Sequence, residues 1–132
     1  MSLTPRDLQR LEGVNADLVR VVKRAADMIP LTVIEGVRTR ERQAELYAIG
    51  RTKPGKPVTW TMASKHCDGL AVDVAPIPLD WNDRKAFLAV AGAMFAAAQR
   101  IGVDLRWGGD WDGDGIYGER GESDLPHFEL RA

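Results

Sequence analysis

Residues 64–77 read Ser64-Lys65-His66-Cys67-Asp68-Gly69-Leu70-Ala71-Val72-Asp73-Val74-Ala75-Pro76-Ile77. From Gly69 the run is short, apolar and rich in β-branched residues, which predicts a strand over 69–77. Leu70, Val72 and Val74 then point to one face, and Ala71, Asp73 and Ala75 to the other. An aspartate inside such a strand is costly to bury unless it is hydrogen-bonded, paired or bound to a metal. The flanking alanines leave space around it. Two readings stay open for Asp73: a carboxylate satisfied by backbone donors, or a metal ligand.

Working outward, Leu31 to Arg38 (LTVIEGVR), Val103 to Trp107 and Pro126 to Leu130 read as three more strands. Helices fill the intervals. Thr4 caps a short one that Pro5 opens and Gly13 ends. Asn15 caps a second, with Leu18, Val21, Val22, Ala25, Met28 and Ile29 as its apolar face and Pro30 as its stop. Thr39 caps a third that runs to Ile49, with Gly50 at its C-terminus. Asn82 caps a long fourth whose buried face is Phe87, Val90, Ala91, Met94, Phe95, Ala98 and Ile101, ended by Gly102. Residues 51–62 read as an exposed loop and 108–123 as a Gly/Asp-rich loop. Helices and strands mix without regular βαβ alternation, so the expected class is α+β, with a small, largely antiparallel sheet packed with helices.

The chain has 132 residues, with 18 Lys+Arg against 19 Asp+Glu and a formal net charge of −1. That length predicts a single domain over residues 1–132. The balanced charge excludes a global basic field of the kind that drives non-specific nucleic-acid binding. Arg38, Arg40, Arg42, Arg51, Lys53 and Lys56 can still form a local basic patch, suited to another anionic polymer as much as to a nucleic acid. One cysteine, Cys67, excludes a disulfide framework and a multi-cysteine zinc site. The longest apolar stretch, Ala86 to Ala98, falls short of the about 20 residues that span a bilayer. Its N-terminus, MSLTPRDLQRLEG, carries charges and no apolar signal core, so neither membrane insertion nor export by a cleaved signal is expected.

The chain has two histidines, His66 and His127. The second lies in Asp124-Leu125-Pro126-His127-Phe128-Glu129-Leu130. On a strand, His127 and Glu129 face one way while Phe128 and Leu130 face the core. His66, Asp73 and His127 together offer two imidazoles and one carboxylate. That is the usual protein ligand count of a catalytic zinc, with a fourth position open. Such a metal lowers the pKa of water and polarises a carbonyl. Asp124, three residues before His127 across a stiff proline, is placed to move a proton from water to a leaving amine.

Ser64, His66, Gly69, Ala71 and Asp73 form SxHxxGxAxD, and Asp124 with His127 forms DxxH. Glu35-Gly36-Val37-Arg38-Thr39 with Gln43 and Leu46, and Leu105-Arg106-Trp107-Gly108-Gly109-Asp110-Trp111, complete the pattern. Over nearly its whole length the chain resembles the zinc D-Ala-D-Ala carboxypeptidase and L-alanyl-D-glutamate endopeptidase family, and within it the single-domain phage endolysins. The resemblance implies a fold like that of the Hedgehog and DD-peptidase proteins. It implies zinc on His66, Asp73 and His127, with Asp124 as general base. It also implies that Arg38 binds substrate or steadies the developing oxyanion, work that suits a permanently charged guanidinium. Gln43 can reach the same site from the following helix. Ser64 either bonds a substrate carboxylate or shapes the loop before His66. Trp107 is expected in the core and Trp111 along the cleft. Cys67 reads as a half-buried free thiol, because catalytic Cys and His meet from distant segments rather than as neighbours.

The resulting expectation is cleavage of the L-Ala–D-Glu bond in the peptidoglycan stem peptide. The rivals are a D-Ala-D-Ala carboxypeptidase and a non-catalytic zinc-bearing wall-binding module. By resemblance, the enzyme is made in the host cytoplasm and acts on the periplasmic wall once a holin-type partner releases it. A monomer is the default. Asp110, Asp112 and Asp114, with Gly115, match the first half of a calcium loop, but the twelfth position is Gly121 where a bidentate Glu belongs. A looser Ca²⁺ site and a solvated acidic turn are both left open there.

Overall fold

In the computed structural model, residues 3–55, 65–110 and 124–131 are described. Thr4 caps helix α1 (Pro5–Arg10) through a reciprocal capping box with Asp7. Asn15 caps α2 (Ala16–Met28), whose Leu18, Val21, Val22 and Ala25 are buried. Strand β1 (Leu31–Glu35) and helix α3 (Arg40–Ala48), capped by Thr39, follow. A single 3-10 turn over Lys65–Asp68 carries His66. Then come β2 (Ala71–Pro76), α4 (Arg84–Ile101), β3 (Leu105–Trp107) and β4 (His127–Leu130).

The four strands form one antiparallel sheet in the order β1-β2-β4-β3, within the expected α+β class. Val33, Val72, Val74 and Phe128 join α2 and α4 in one buried apolar cluster. Alternation along each strand then turns Asp73, His127 and Glu129 to the opposite face. Trp107 belongs to the core, as expected: it stacks 6.2 Å from Phe128, and its indole N–H donates to Leu125 O (2.7 Å). Helix α1 shields the outer edge of β1. Asp7 accepts from Val33 N (2.9 Å) and Thr32 Oγ1 (2.8 Å), while Arg10 donates to Val33 O (2.7 Å). Side chains thus stand in for a missing strand.

Four local expectations need correction. Strand β1 ends at Glu35 rather than Arg38. The register slips at a bulge between Val33 and Glu35, and Gly36 then passes Arg10 O so closely that a Cβ would lie 2.0 Å from it. Helix α4 is capped by Asp83, not Asn82, whose own N–H turns back to Asp80 (2.9 Å). Strand β3 begins at Leu105, because Val103 N is still bonded to Ala98 O at the helix end (2.9 Å). Finally, Phe95 is 39% exposed and Met28 50%, whereas Ala97 is buried. The stripe of α4 that faces the core runs through Phe87, Val90, Ala91, Met94, Ala97 and Ala98; Phe95 lies at its rim, edge-on to Phe128.

Candidate metal and catalytic site

The β2–β4 register places Asp73 directly opposite His127. The tight turn before β2 brings His66 over the same face, with Gly69 in the left-handed region (φ 72°) to close it. Asp73 Oδ1 lies 3.2 Å from His66 Nε2 and 3.2 Å from His127 Nδ1. One ligand atom from each of the three residues lies within 4.8 Å of the others. A tetrahedral ion with bonds of about 2.0–2.2 Å sets neighbouring ligand atoms roughly 3.3 Å apart, close to both 3.2 Å separations.

The outer ring nitrogens explain why the inner ones converge. His66 Nδ1 lies 2.8 Å from Gly36 O, a group that can only accept, so that nitrogen carries the proton. His127 Nε2 lies 2.8 Å from Glu129 Oε1. Each ring therefore turns a lone pair toward Asp73. Three electron-pair donors meeting at one point need a cation between them, a proton or a metal. Without a metal the proton goes to His127: burial alone would lower its pKa, but the hydrogen bonds to Asp73 and Glu129 push it up to about 9. Burial alone would raise Asp73, yet the His127 and His66 rings beside it hold it far below the ordinary carboxylate range. Glu129 shows the same opposition. Bonds from His127 and Lys65 outweigh its burial and hold it down to about 2. Lys65 Nζ sits 3.1 Å from Glu129 Oε2 and donates to Leu130 O (2.7 Å).

Asp124 stands beside this cluster. Its carbonyl accepts from His127 N (3.2 Å), and Gly108 N donates to His127 O (2.9 Å). Gly108 passes so near that a Cβ would lie 2.2 Å from Asp124 O. The chain crowded around its carboxyl raises the Asp124 pKa and the Asp73 charge adds to this, against the opposing effect of His127, although the residue itself is exposed to solvent. His66 and Arg38 pull in the same direction as His127, so the Asp124 carboxyl lies within electrostatic reach of the three converging donors.

Arg38 is drawn in from the basic patch. Its Nε and Nη2 donate to the two Glu35 oxygens (2.6 and 2.8 Å), and its Nη1 donates to Gln43 Oε1 (2.6 Å). The bond to Glu35 raises its pKa against the effect of burial. Gln43 meets Arg38 from α3, and it is fully buried there. The patch residues that remain outside are partly neutralised: Arg40 pairs with Asp68, Arg42 with Glu45, and Arg51 lies over the Tyr47 ring. Cys67 is half-buried and free of disulfides, as anticipated.

Ser64, Trp111, Asp112 and Asp114 lie outside the described residues. Asp110 closes a turn on Trp107 (N to O, 3.1 Å). Two contributors were not assigned a role from sequence. Glu129 shares a strand face with His127, a period-two signal that was visible. Glu35 gave no such signal, because only the bulge carries it to the position opposite Asp73.

Two imidazoles and a carboxylate on one face of a small antiparallel sheet, beside a carboxyl and a clamped guanidinium, form a donor set that could hold a metal ion of the kind hydrolases use. The family model for phage L-alanyl-D-glutamate peptidase matches residues 1–131. The L-alanyl-D-glutamate peptidase of Escherichia phage T5 is 36% identical over 130 residues, covering 92% of each chain. The peptidoglycan L-alanyl-D-glutamate endopeptidase CwlK of Bacillus subtilis is 32% identical over 140 residues, covering 96% of this chain and 75% of that one. Among solved structures, the L-Ala D-Glu endopeptidase ChiX of Serratia marcescens superposes with a TM-score of 0.79 at 33% identity, covering 97% of this chain and 88% of that one. The fold extends to the vancomycin-resistance D,D-pentapeptidase VanY, solved as an E175A mutant with Zn(II) (TM-score 0.53, 16% identity, 89% of this chain and 72% of that one). This chain belongs to the phage L-alanyl-D-glutamate peptidase family and is a hydrolytic enzyme.

Proposed function

We propose that this protein is a zinc-dependent endopeptidase that cuts the L-Ala–D-Glu bond of the peptidoglycan stem peptide, as a phage or prophage endolysin. The observation that carries the reading is the convergence of His66 Nε2, Asp73 Oδ1 and His127 Nδ1, in a chain of this family. These three residues would hold the metal. Zinc there would supply a Lewis acid for the scissile carbonyl and would lower the pKa of water toward neutrality. Asp124 accepts the proton of the attacking water and passes it to the leaving amine of D-Glu. Its raised proton affinity suits both halves of that transfer. Arg38, always charged and held on the same side, donates to the carbonyl oxygen as negative charge builds on it. Ser64 and Trp111 are proposed to contact the peptide. The enzyme would work as a monomer, made in the host cytoplasm and let through to the wall by a holin-type partner.

Digestion of purified sacculi, with and without a zinc chelator, tests this. Chelator-sensitive release of peptides beginning at D-Glu is expected. Release of terminal D-Ala alone would move the enzyme to the carboxypeptidase class. In Asp124→Ala, turnover should fall by at least about 100-fold while bound zinc stays stoichiometric. Retained turnover in that variant would remove Asp124 from the base role.

A further inference from the structure

The Glu35–Arg38–Gln43 arrangement is more than a surface ion pair. Exposed pairs three residues apart contribute little and hold no fixed geometry. Here the Arg38 side chain is only 11% exposed, and the Gln43 that meets it is fully buried. Three of the five guanidinium N–H donors are taken: Nε and one on Nη2 by Glu35, and one on Nη1 by Gln43. Because the group is planar, partners on two sides fix its rotation. That leaves one N–H on each terminal nitrogen without a partner among the described residues. The backbone of the same segment is tied to the metal cluster at two points. Gly36 O accepts from His66 Nδ1 (2.8 Å), and Arg38 N donates to His66 O (2.9 Å).

We infer that Glu35 and Gln43 are positioning residues, which hold Arg38 so that its two remaining N–H donors are pre-set for the substrate's scissile carbonyl. This deepens the proposed function, since it rests on Arg38 meeting that carbonyl. It assigns Glu35 a role, and it makes Gln43 a support for Arg38 instead of a substrate contact. The β1 bulge belongs to the same device. It puts Glu35 opposite Asp73, so one register slip sets the clamp beside the cluster. Donors fixed before charge develops need no reorganisation when it does, so losing the clamp should slow the chemical step more than it weakens binding.

The test is a double-mutant cycle on a soluble stem peptide containing the L-Ala–D-Glu bond, using Glu35→Gln, Arg38→Ala and the double variant. Glu35→Gln should lower kcat roughly 10- to 100-fold, with KM within about twofold and bound zinc unchanged. In the Arg38→Ala background the same substitution should cost almost nothing. An equal cost in both backgrounds, or an unchanged kcat, would overturn the assignment. A second reading is independent of turnover. By NMR, the Arg38 Nε–H signal, identified by its absence in Arg38→Ala, should resist solvent exchange in the parent protein and lose that protection in Glu35→Gln. Persistence of protection would overturn the clamp. If the parent protein cleaved no stem peptide, the proposed function would fail while the NMR result still decided the clamp.

Discussion

At the scale of single residues, the site is ordered by what lies behind each of the converging donor atoms. Gly36 O fixes the tautomer of His66, and Glu129 fixes that of His127. Glu129 is in turn held by Lys65, with the Arg106 guanidinium 3.9 Å away. Such outer partners orient a ligand and raise its basicity. Glu129→Gln keeps the shape and removes the charge. Zinc affinity, measured by competition with a chromophoric chelator, should fall about 10- to 100-fold. An unchanged affinity would mean that Glu129 serves the Lys65 pair and the strand alone. Glu129 was legible from sequence as the same-face neighbour of His127. Glu35 was not, since its place depends on a slip in strand pairing.

At the scale of elements, helix α4 shows how far periodicity carries. Phe87, Val90, Ala91, Met94 and Ala98 repeat at helical spacing, and all are buried as that spacing predicts. Phe95 is apolar too, and composition alone cannot separate it from the stripe. Its position one residue past Met94 rotates it about 100° around the axis, to the rim at 39% exposure. Urea unfolding of the metal-loaded protein should show the difference. Met94→Ala is expected to cost about 2–5 kcal/mol. Phe95→Ala should cost clearly less, at about 1 kcal/mol. Equal costs would mean that the helix is rotated from the orientation described here.

At the scale of the whole molecule, the converging donors couple stability to pH and to metal. Without metal, His127 has a folded-state pKa of about 9 against an ordinary 6.5. Its contribution is complete below about pH 6.5 and is lost as pH rises through 9. Glu129 and Asp73 are shifted down, Glu129 to about 2 from 4.5. Their contributions are complete above about pH 4.5 and fade as pH falls toward 2. The chelated protein should therefore melt highest between about pH 4.5 and 6.5, and lower on both sides. Zinc requires the unprotonated ring, so the added stability from zinc should grow with pH across 6.5–9. Free zinc at 100 times its Kd gives about 2.7 kcal/mol. Melting curves of chelated and zinc-loaded protein across this range check both trends. A chelated protein whose melting temperature stayed flat from pH 6.5 to 9 would refute the coupling.

The sequence by itself determined the helix caps at Thr4, Asn15 and Thr39, the alternating faces of β2 and β4, and the donor types His66, Asp73 and His127. These follow from capping chemistry and strand period, which act over a few residues. Only the tertiary structure decided that Asp73 stands opposite His127, that the bulge brings Glu35 to the same place, and that Gln43 is buried against Arg38. Register and burial depend on which distant segments pair and how closely they pack, and no local pattern encodes that choice.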